Sequence, residues 1–325
     1  CRRGLTPLQY ASRTMSAGTD DRPLPHVERL VVVGGVAGGA SAAARARRLN
    51  ESCKITMFDR GPFVSFANCG LPFFVGDVIR EEKSLIVASP QRFQDRFNID
   101  VFPKHEVISI DREEREVVVR DIKTDRKFRE PYDALVLSPG ARAIVPPLPG
   151  IDSNGIFVLR TIPDSRRIRE WIEQNNASRA LVVGAGFIGL EMAENLVHRG
   201  LDVTMLELGD QIMPSLDPEI ARPVADYLGE KGIKIRTEEA VESFSTSDGG
   251  VISATTSKGD TVETDMVILA IGVQPESDLA KQAGLDIGAR GGIKVDASMR
   301  TSDDRIWAVG DVIETTDWVT KTPVQ

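Results

Sequence analysis

The residue best suited to chemistry is Cys69, in the run Val64-Ser65-Phe66-Ala67-Asn68-Cys69-Gly70-Leu71-Pro72. A thiolate is the nucleophilic and redox-active form of cysteine. Pro72 is tolerated in a helix only within the first turn. The run therefore reads as a loop that enters a helix just after Cys69. The unpaired N–H groups and the dipole at such a helix start favour the thiolate. Gly70 has no Cβ, which leaves room for a flat or bulky partner near the sulfur. The alternative is a buried structural cysteine, a common fate for this residue type. Cys53 stands in a turn before a strand, with neither a glycine nor a helix start beside it, and is assigned no role.

The elements around Cys69 could hold phosphates. An apolar strand at Arg29–Val33 runs into Gly34-Gly35-Val36-Ala37-Gly38-Gly39, then into an Ala-rich helix ending near Leu49. A strand, a glycine turn and a helix N-terminus together suit a pyrophosphate. Val36 stands where the middle glycine of GxGxxG is expected, so this loop alone is a weak signal. A second strand, Lys54–Asp59, ends in an acid where the ribose hydroxyls of a bound dinucleotide would lie. On the helix, Ser41, Arg45 and Arg48 share one face at i, i+4 and i+7. They suit an anionic, phosphate-bearing substrate, or they are a solvated face.

The pattern then repeats. Residues 98–120 read as alternating strands joined by the charged turn Asp111-Arg112-Glu113-Glu114, and residues 132–140 as a buried strand ending in Ser138-Pro139-Gly140. The run Pro146-Pro147-Leu148-Pro149-Gly150 is a natural boundary. Ala180-Leu181-Val182-Val183 is a strand, and Gly184-Ala185-Gly186-Phe187-Ile188-Gly189 matches GxGxxG without exception. A helix over 190–199 stops at Gly200, and Val203-Thr204-Met205-Leu206-Glu207 is a strand ending in an acid. Glu207 is placed to bind a ribose 2′-hydroxyl and repel a 2′-phosphate. No Arg or Lys follows until Arg222, so NADH is favoured over NADPH. Thr264-Asp265-Met266-Val267-Ile268-Leu269-Ala270-Ile271-Gly272 echoes residues 132–140, which marks an internal duplication. A last buried strand, Ile306-Trp307-Ala308-Val309, turns at Gly310-Asp311.

A chain of 325 residues suggests two domains of α/β type. The expected division is a tail over 1–28, a first domain over 29–150 and 265–325, and a second domain over 151–264. A formal net charge of −8 argues against a nucleic-acid surface covering the protein. No apolar run approaches a membrane span. Cys1, Cys53 and Cys69 show no CxxC spacing, which argues against zinc and against a disulfide-built fold; a reducing, cytoplasmic setting fits. The chain begins at Cys1, which suggests a fragment or a processed form. Residues 1–19 hold Arg2, Arg3 and Arg13 and no acid. They read as a disordered tail with Met15 as a possible start, or as an organelle transit peptide.

Over about residues 29–325 these pieces resemble the flavin-dependent pyridine nucleotide–disulfide oxidoreductases, in their one-cysteine form. Ser65-Phe66-Ala67-Asn68-Cys69-Gly70-Leu71-Pro72 and the first glycine loop are similar to the coenzyme A disulfide reductase branch. The related NADH oxidases and peroxidases carry His in that loop, where this chain has Ala37, and usually Ser before the cysteine, where it has Asn68. The resemblance implies two Rossmann-like, three-layer dinucleotide-binding domains, with the FAD domain interrupted by the NAD(P)H domain. It implies Cys69 as the single redox cysteine. It implies FAD held by Gly34, Val36, Ala37, Gly38, Asp59, Arg60, Val107, Ser138, Pro139, Gly140, Arg160, Gly310 and Asp311. For NADH it implies Gly184, Gly186, Phe187, Ile188, Gly189, Glu191, Glu207 and Gly272, and for coenzyme A Ser41, Arg45, Arg48, Ser65 and Asn68. Arg45 departs from the polar residue, often Gln, that the family has there, and Asp59 from the commoner Glu. A homodimer, built through a C-terminal domain lying beyond Gln325, is also implied. Three functions remain open on the sequence: reduction of coenzyme A disulfide, reduction of a coenzyme A persulfide or polysulfide by the same machinery, and a redox-inactive dinucleotide-binding or interaction module.

Overall fold

Continuous runs of Val, Leu and Ile, buried on both faces, are the mark of parallel strands covered by helices, and this chain uses them twice. The computed structural model describes residues 26–247 and 249–324, so the expected tail lies outside the described residues up to position 25. The first sheet has five parallel strands in the order Ile306–Ala308, Ala134–Leu137, Arg29–Val33, Lys54–Asp59, Ile99–Pro103. The second has the matching order Ile156–Phe157, Met266–Leu269, Arg179–Val183, Asp202–Leu206, Lys234–Arg236, also parallel. Even the register agrees. Val31 lies between Thr56 and Leu135 as Leu181 lies between Thr204 and Val267. In each sheet a three-stranded antiparallel ribbon comes directly before one strand: His105–Asp111, Glu116–Asp121 and Lys127–Pro131 before Ala134–Leu137 in the first, Val241–Thr246, Ile252–Thr256 and Thr261–Thr264 before Met266–Leu269 in the second.

The helices that matter for the site are α1 (Gly38–Leu49), α2 (Leu71–Val75), α3 (Pro90–Phe97), α4 (Ile162–Gln174) and α5 (Phe187–His198). Ser89 caps α3, and Thr161 caps α4 in a reciprocal box with Asp164. The two helices that follow the glycine loops, α1 and α5, start without a side-chain cap. Their first N–H groups are open to an outside acceptor.

The expected domain boundaries need correction. Residues Met266–Leu269 pair with Arg179–Val183 in the second sheet, so the second domain runs past 264 to about the end of that strand. Leu148 and Ile151 pack with the core between the second sheet and its ribbon, so the first segment of the first domain stops near Ala143 and not at 150. The polypeptide crosses between domains twice, at Ala141–Ala143 and Val273–Pro275, and the two crossings pair as an antiparallel ribbon. It then returns to complete the first sheet with Ile306–Ala308. Among the described residues no helix is long and apolar enough to cross a membrane.

Each sheet is locked at its N-terminal edge by the same device. Asp133 accepts from the backbone and guanidinium of Arg29, and Asp265 from the backbone and guanidinium of Arg179. Both carboxyls sit below the usual carboxylate range. For Asp133 the Arg29 guanidinium is the main cause. For Asp265, burial pushes up, and hydrogen bonds from Arg179 and Ser178 outweigh it, leaving it at about 2.

Candidate active site

The two acid-ended strands close their glycine loops identically. Asp59 accepts from Gly35 N and Gly61 N, each at 2.7 Å. Glu207 accepts from Ala185 N at 2.7 Å and Gly209 N at 2.8 Å. Each carboxylate therefore clamps its own loop with one bond to each oxygen, which leaves further lone pairs on both oxygens unspent by these bonds. Burial pushes the Asp59 carboxyl up, against the pull of its two backbone donors. The loops demand close approach. A Cβ on Gly39 would fall 1.8 Å from Gly34 O, and one on Gly189 2.0 Å from Gly184 O. Gly186 differs: a Cβ there meets nothing within 4 Å.

A cavity of about 840 Å³ opens at the C-terminal ends of the first sheet's strands, the usual ligand position in such folds. Every residue expected to hold the flavin lines it, from Gly34 to Asp311. Inside it Arg160 reaches Asp311 at 3.3 Å. The sequence reading missed Glu276, Arg142 and Asp278, which also line the cavity. Arg60 pairs with Glu276 at 2.9 Å, and Arg142 bridges Glu276 and Asp278. Their signal is tertiary: Arg142 lies within one of the two paired crossings and Glu276 directly follows the other, which no local pattern brings together. His105, also in the wall, packs in an aromatic group with Phe58, Phe102 and Phe128.

Cys69 is exposed, in a 3-10 turn over Asn68–Gly70 that leads directly into α2. Phe66 and Asn68 line the cavity, and Cys69 follows them in the chain. The segment is pinned. Ser65 N donates to Gly35 O of the first glycine loop at 2.8 Å, Val87 N donates to Ser65 O at 2.8 Å, and Ala67 N donates to Leu85 O at 2.8 Å. Ser65 itself has φ +44°, in the left-handed region. Two expectations change here. The helix after Cys69 has only five residues, so its dipole is short. Gly70 is buried, and a Cβ on it would strike the Leu85 side chain at 2.8 Å, so its bareness serves packing and not a substrate. Cys53 is buried in the first domain's core, and burial pushes its thiol up.

Ser41, Arg45 and Arg48 form an exposed stripe on α1. Ala37, one turn earlier on the same face, lines the cavity, so the stripe leads away from the cavity wall. Arg48 lies over the Phe97 ring at 5.9 Å. Neither Arg45 nor Arg48 has an acidic partner among the described residues, whereas their buried neighbour Arg47 is spent on the carbonyls of Phe97, Asn98, Asn50 and Glu51. At the second loop Phe187, Leu208 and Ile271 are exposed apolar side chains. Gly272 has φ +121°, and burial followed by the charge of Glu194 pushes the Glu191 carboxyl up.

Cys69's segment also belongs to the second domain. Leu71, Phe74 and Val75 of α2 share one core with Ile168 of α4 and Met192 and Leu196 of α5. Two dinucleotide cradles on one plan, with a thiol turn pinned to the first and packed into the second, define an α/β oxidoreductase scaffold in which an FAD-type domain is interrupted by an NAD-type domain. The chain belongs to the pyridine nucleotide-disulphide oxidoreductase family, whose model matches residues 28–323. It is 38% identical over 290 residues to the coenzyme A disulfide reductase of Staphylococcus haemolyticus, covering 89% of this chain and 64% of that protein. The crystal structure of reduced Bacillus anthracis CoADR-RHD superposes with a TM-score of 0.89 at 45% identity, over 93% of this chain and 54% of that one. A NAD-dependent persulfide reductase from A. fulgidus superposes at 0.88 with 38% identity, over 91% of this chain and 55% of that one. The chain thus spans about two thirds of the first relative and about half of the two solved chains.

Proposed function

We propose that this chain carries the nucleotide sites and the thiol of an FAD-dependent reductase that passes electrons from NADH to coenzyme A disulfide. One observation carries the reading: the segment bearing Cys69 is bonded through Ser65 to the first glycine loop, beside a cavity whose walls include every residue assigned to the flavin. The likeness to coenzyme A disulfide reductases supports the substrate class. The cavity suits FAD in size and lining, since a site of this volume holds a large ligand, and a Cβ on Gly38 would strike Ser138 Oγ at 2.6 Å. Bound FAD would supply two-electron relay chemistry between a nicotinamide and a sulfur.

The open N–H groups of α1 would hold its pyrophosphate and Asp59 its ribose. Glu207 would accept from the adenosine ribose of NADH and repel the 2′-phosphate of NADPH. The Cys69 thiolate attacks one sulfur of the disulfide. The S–S bond breaks, one coenzyme A thiolate leaves and takes a proton, and Cys69 is left in a mixed disulfide with the other half. Two electrons from NADH and one proton then cleave that bond, freeing the second coenzyme A thiol and restoring the thiolate. The net consumption is one NADH and one proton per disulfide. A single cysteine suffices because the substrate's own sulfur is the other member of the pair. Ser65 and Asn68 orient the incoming sulfur, and Arg45 and Arg48 bind its phosphates.

The test uses the full-length protein with NADH and coenzyme A disulfide. Cys69→Ser should keep the flavin and its bleaching by NADH but lose disulfide turnover, and mass spectrometry of untreated wild type should find coenzyme A on Cys69 and not on Cys53. Wild-type turnover by Cys69→Ser ends the mechanism, and absence of a bound flavin leaves the binding-module reading. The likeness to a persulfide reductase favours a second acceptor, a coenzyme A persulfide. Comparing kcat/KM for the two acceptors decides between them.

A further inference from the structure

Asp77, at the far end of the segment that carries Cys69, is held in an unusual way. Its backbone has φ +62°, a region non-glycine residues rarely adopt. Its two carboxylate oxygens each take a different arginine of the second domain: Arg169 of α4 at 2.6 Å and Arg199, which caps the end of α5, at 2.9 Å. The same guanidiniums donate to the last carbonyls of α2, Arg169 to Phe74 O at 3.0 Å and Arg199 to Val75 O at 3.2 Å. Arg169 also lies over the Phe74 ring at 4.3 Å. Both arginine side chains are largely out of solvent, 18% and 13% exposed, while the Asp77 carboxylate is 42% exposed, so water screens part of the pairing and the two-arginine geometry carries the grip. Arg199 has a second, more distant acid in Glu173 at 3.5 Å. Next to Asp77, Gly76 fits so closely on Asn195 of α5 that a Cβ would lie 2.2 Å from its Oδ1.

A helix of five residues does not hold its own shape in water. The orientation of α2 is therefore set by what grips it. Its apolar side is gripped by the shared core, and its C-terminal carbonyls and the residue beyond them by the two arginines. Cys69 sits at the opposite end of this short unit, one residue before Gly70 and α2. We propose that Asp77 is a positioning residue for Cys69: by fastening the C-terminal end of α2 to α4 and α5, it holds the thiol turn at its place beside the cavity. This inference rests on the reading of Cys69 as the reacting thiol. Neither nucleotide loop bonds to Asp77, so its removal should act on the sulfur step and spare hydride entry.

The experiment compares full-length wild type, Asp77→Asn and Asp77→Gly. Asparagine keeps size and tolerance of the left-handed backbone but removes the charge. Glycine relieves the backbone while removing the clasp, so at least one variant should fold well. Flavin content, anaerobic flavin bleaching by NADH, steady-state kinetics with coenzyme A disulfide and, after reduction and removal of the released thiol, the pH profile of Cys69 alkylation by iodoacetamide are measured. Displacing a reacting group by about 1 Å costs on the order of 100-fold. The expected result is unchanged flavin content and bleaching, a kcat for disulfide about 10- to 100-fold lower with an unchanged KM for NADH, and a shifted alkylation profile. Wild-type turnover by both Asp77 variants, with Cys69→Ser inactive, overturns this inference alone. Parallel loss of bleaching and turnover, or loss of flavin in both variants, also overturns it, since either makes Asp77 a residue of the fold. Normal turnover by Cys69→Ser overturns the thiol reading and this inference with it.

Discussion

Asp265→Asn probes how the second domain is assembled. The carboxylate accepts from Ser178 N at 3.0 Å, Ser178 Oγ at 3.1 Å, Arg179 N at 2.9 Å and Arg179 Nη2 at 2.7 Å. It thereby ties the start of Arg179–Val183 to the start of Met266–Leu269, the pair that carries the second glycine loop. Its carboxyl is lowered from 3.8 to about 2, which corresponds to about 2.4 kcal/mol of stability at neutral pH. Water at the sheet edge screens part of this, so ~1–2 kcal/mol is the expected electrostatic share. An asparagine keeps one acceptor oxygen but turns an NH₂ toward donors, so the whole substitution should cost about 2 kcal/mol. The folded value lies below the unfolded one. The contribution is therefore complete above about pH 4 and lost as pH falls towards about 2. The difference between wild type and variant should shrink over that window. Trp171 is a local reporter, since its Nε1 donates to Asp265 O at 3.0 Å, and Trp307→Phe with Trp318→Phe leaves it as the sole tryptophan of the chain. Urea unfolding followed by Trp171 fluorescence should show the loss. Flavin release should move less, because Asp265 lies in the second sheet. An unchanged unfolding free energy, or a deficit that stays constant down to about pH 2, would refute the reasoning.

Glu207→Ala should raise the NADPH/NADH ratio of kcat/KM by about tenfold or more, because a carboxylate facing a 2′-phosphate is a like-charge contact; an unchanged ratio would mean that Glu207 does not face the ribose. Gly189→Ala should destabilise the second domain by roughly 1–3 kcal/mol, since its Cβ meets Gly184 O. Gly186→Ala should fold normally, because its Cβ meets nothing, and lower only nucleotide affinity; equal stability of the two variants by urea unfolding would remove the steric argument.

The features legible in the sequence were those written as local patterns. The glycine loops, the acids at 59 and 207 and the repeat of residues 132–140 at 264–272 each have a spacing that points to one backbone plan. The boundary expected at 264 cuts through the second copy of the repeat. If Thr264-Asp265-Met266 echoes Tyr132-Asp133-Ala134, it must open a strand beside Arg179–Val183 in the second sheet, as Asp265 bonding Arg179 makes plain. At Gly70 a bare Cα next to a thiol suggests room, whereas Leu85, fifteen residues on, fills that space. Asp77 was invisible for the same reason. A lone acid after a glycine has no signal until Arg169 and Arg199 arrive from another domain.

The duplication also explains the backbone around the thiol. Six residues after its acid, each repeat has a non-glycine residue in the left-handed region: Ser65 at φ +44° and Met213 at φ +50°. Each donates its N–H to the second residue of its glycine loop, Ser65 to Gly35 O and Met213 to Ala185 O, both at 2.8 Å. The strain at Ser65 is thus a property of the scaffold, present where there is no thiol, and it is not evidence of catalysis on its own. What distinguishes the repeats comes after that residue. In the second repeat, Asp217 starts a long surface helix, Pro218–Glu230. In the first, the chain makes the turn holding Asn68 and Cys69 and then α2, which is too short to stand alone and is received by the core of the other repeat. One loop plan thereby yields two different pieces, and the thiol turn lies between Ser65, bonded to the first domain's glycine loop, and α2, packed into the core of the second.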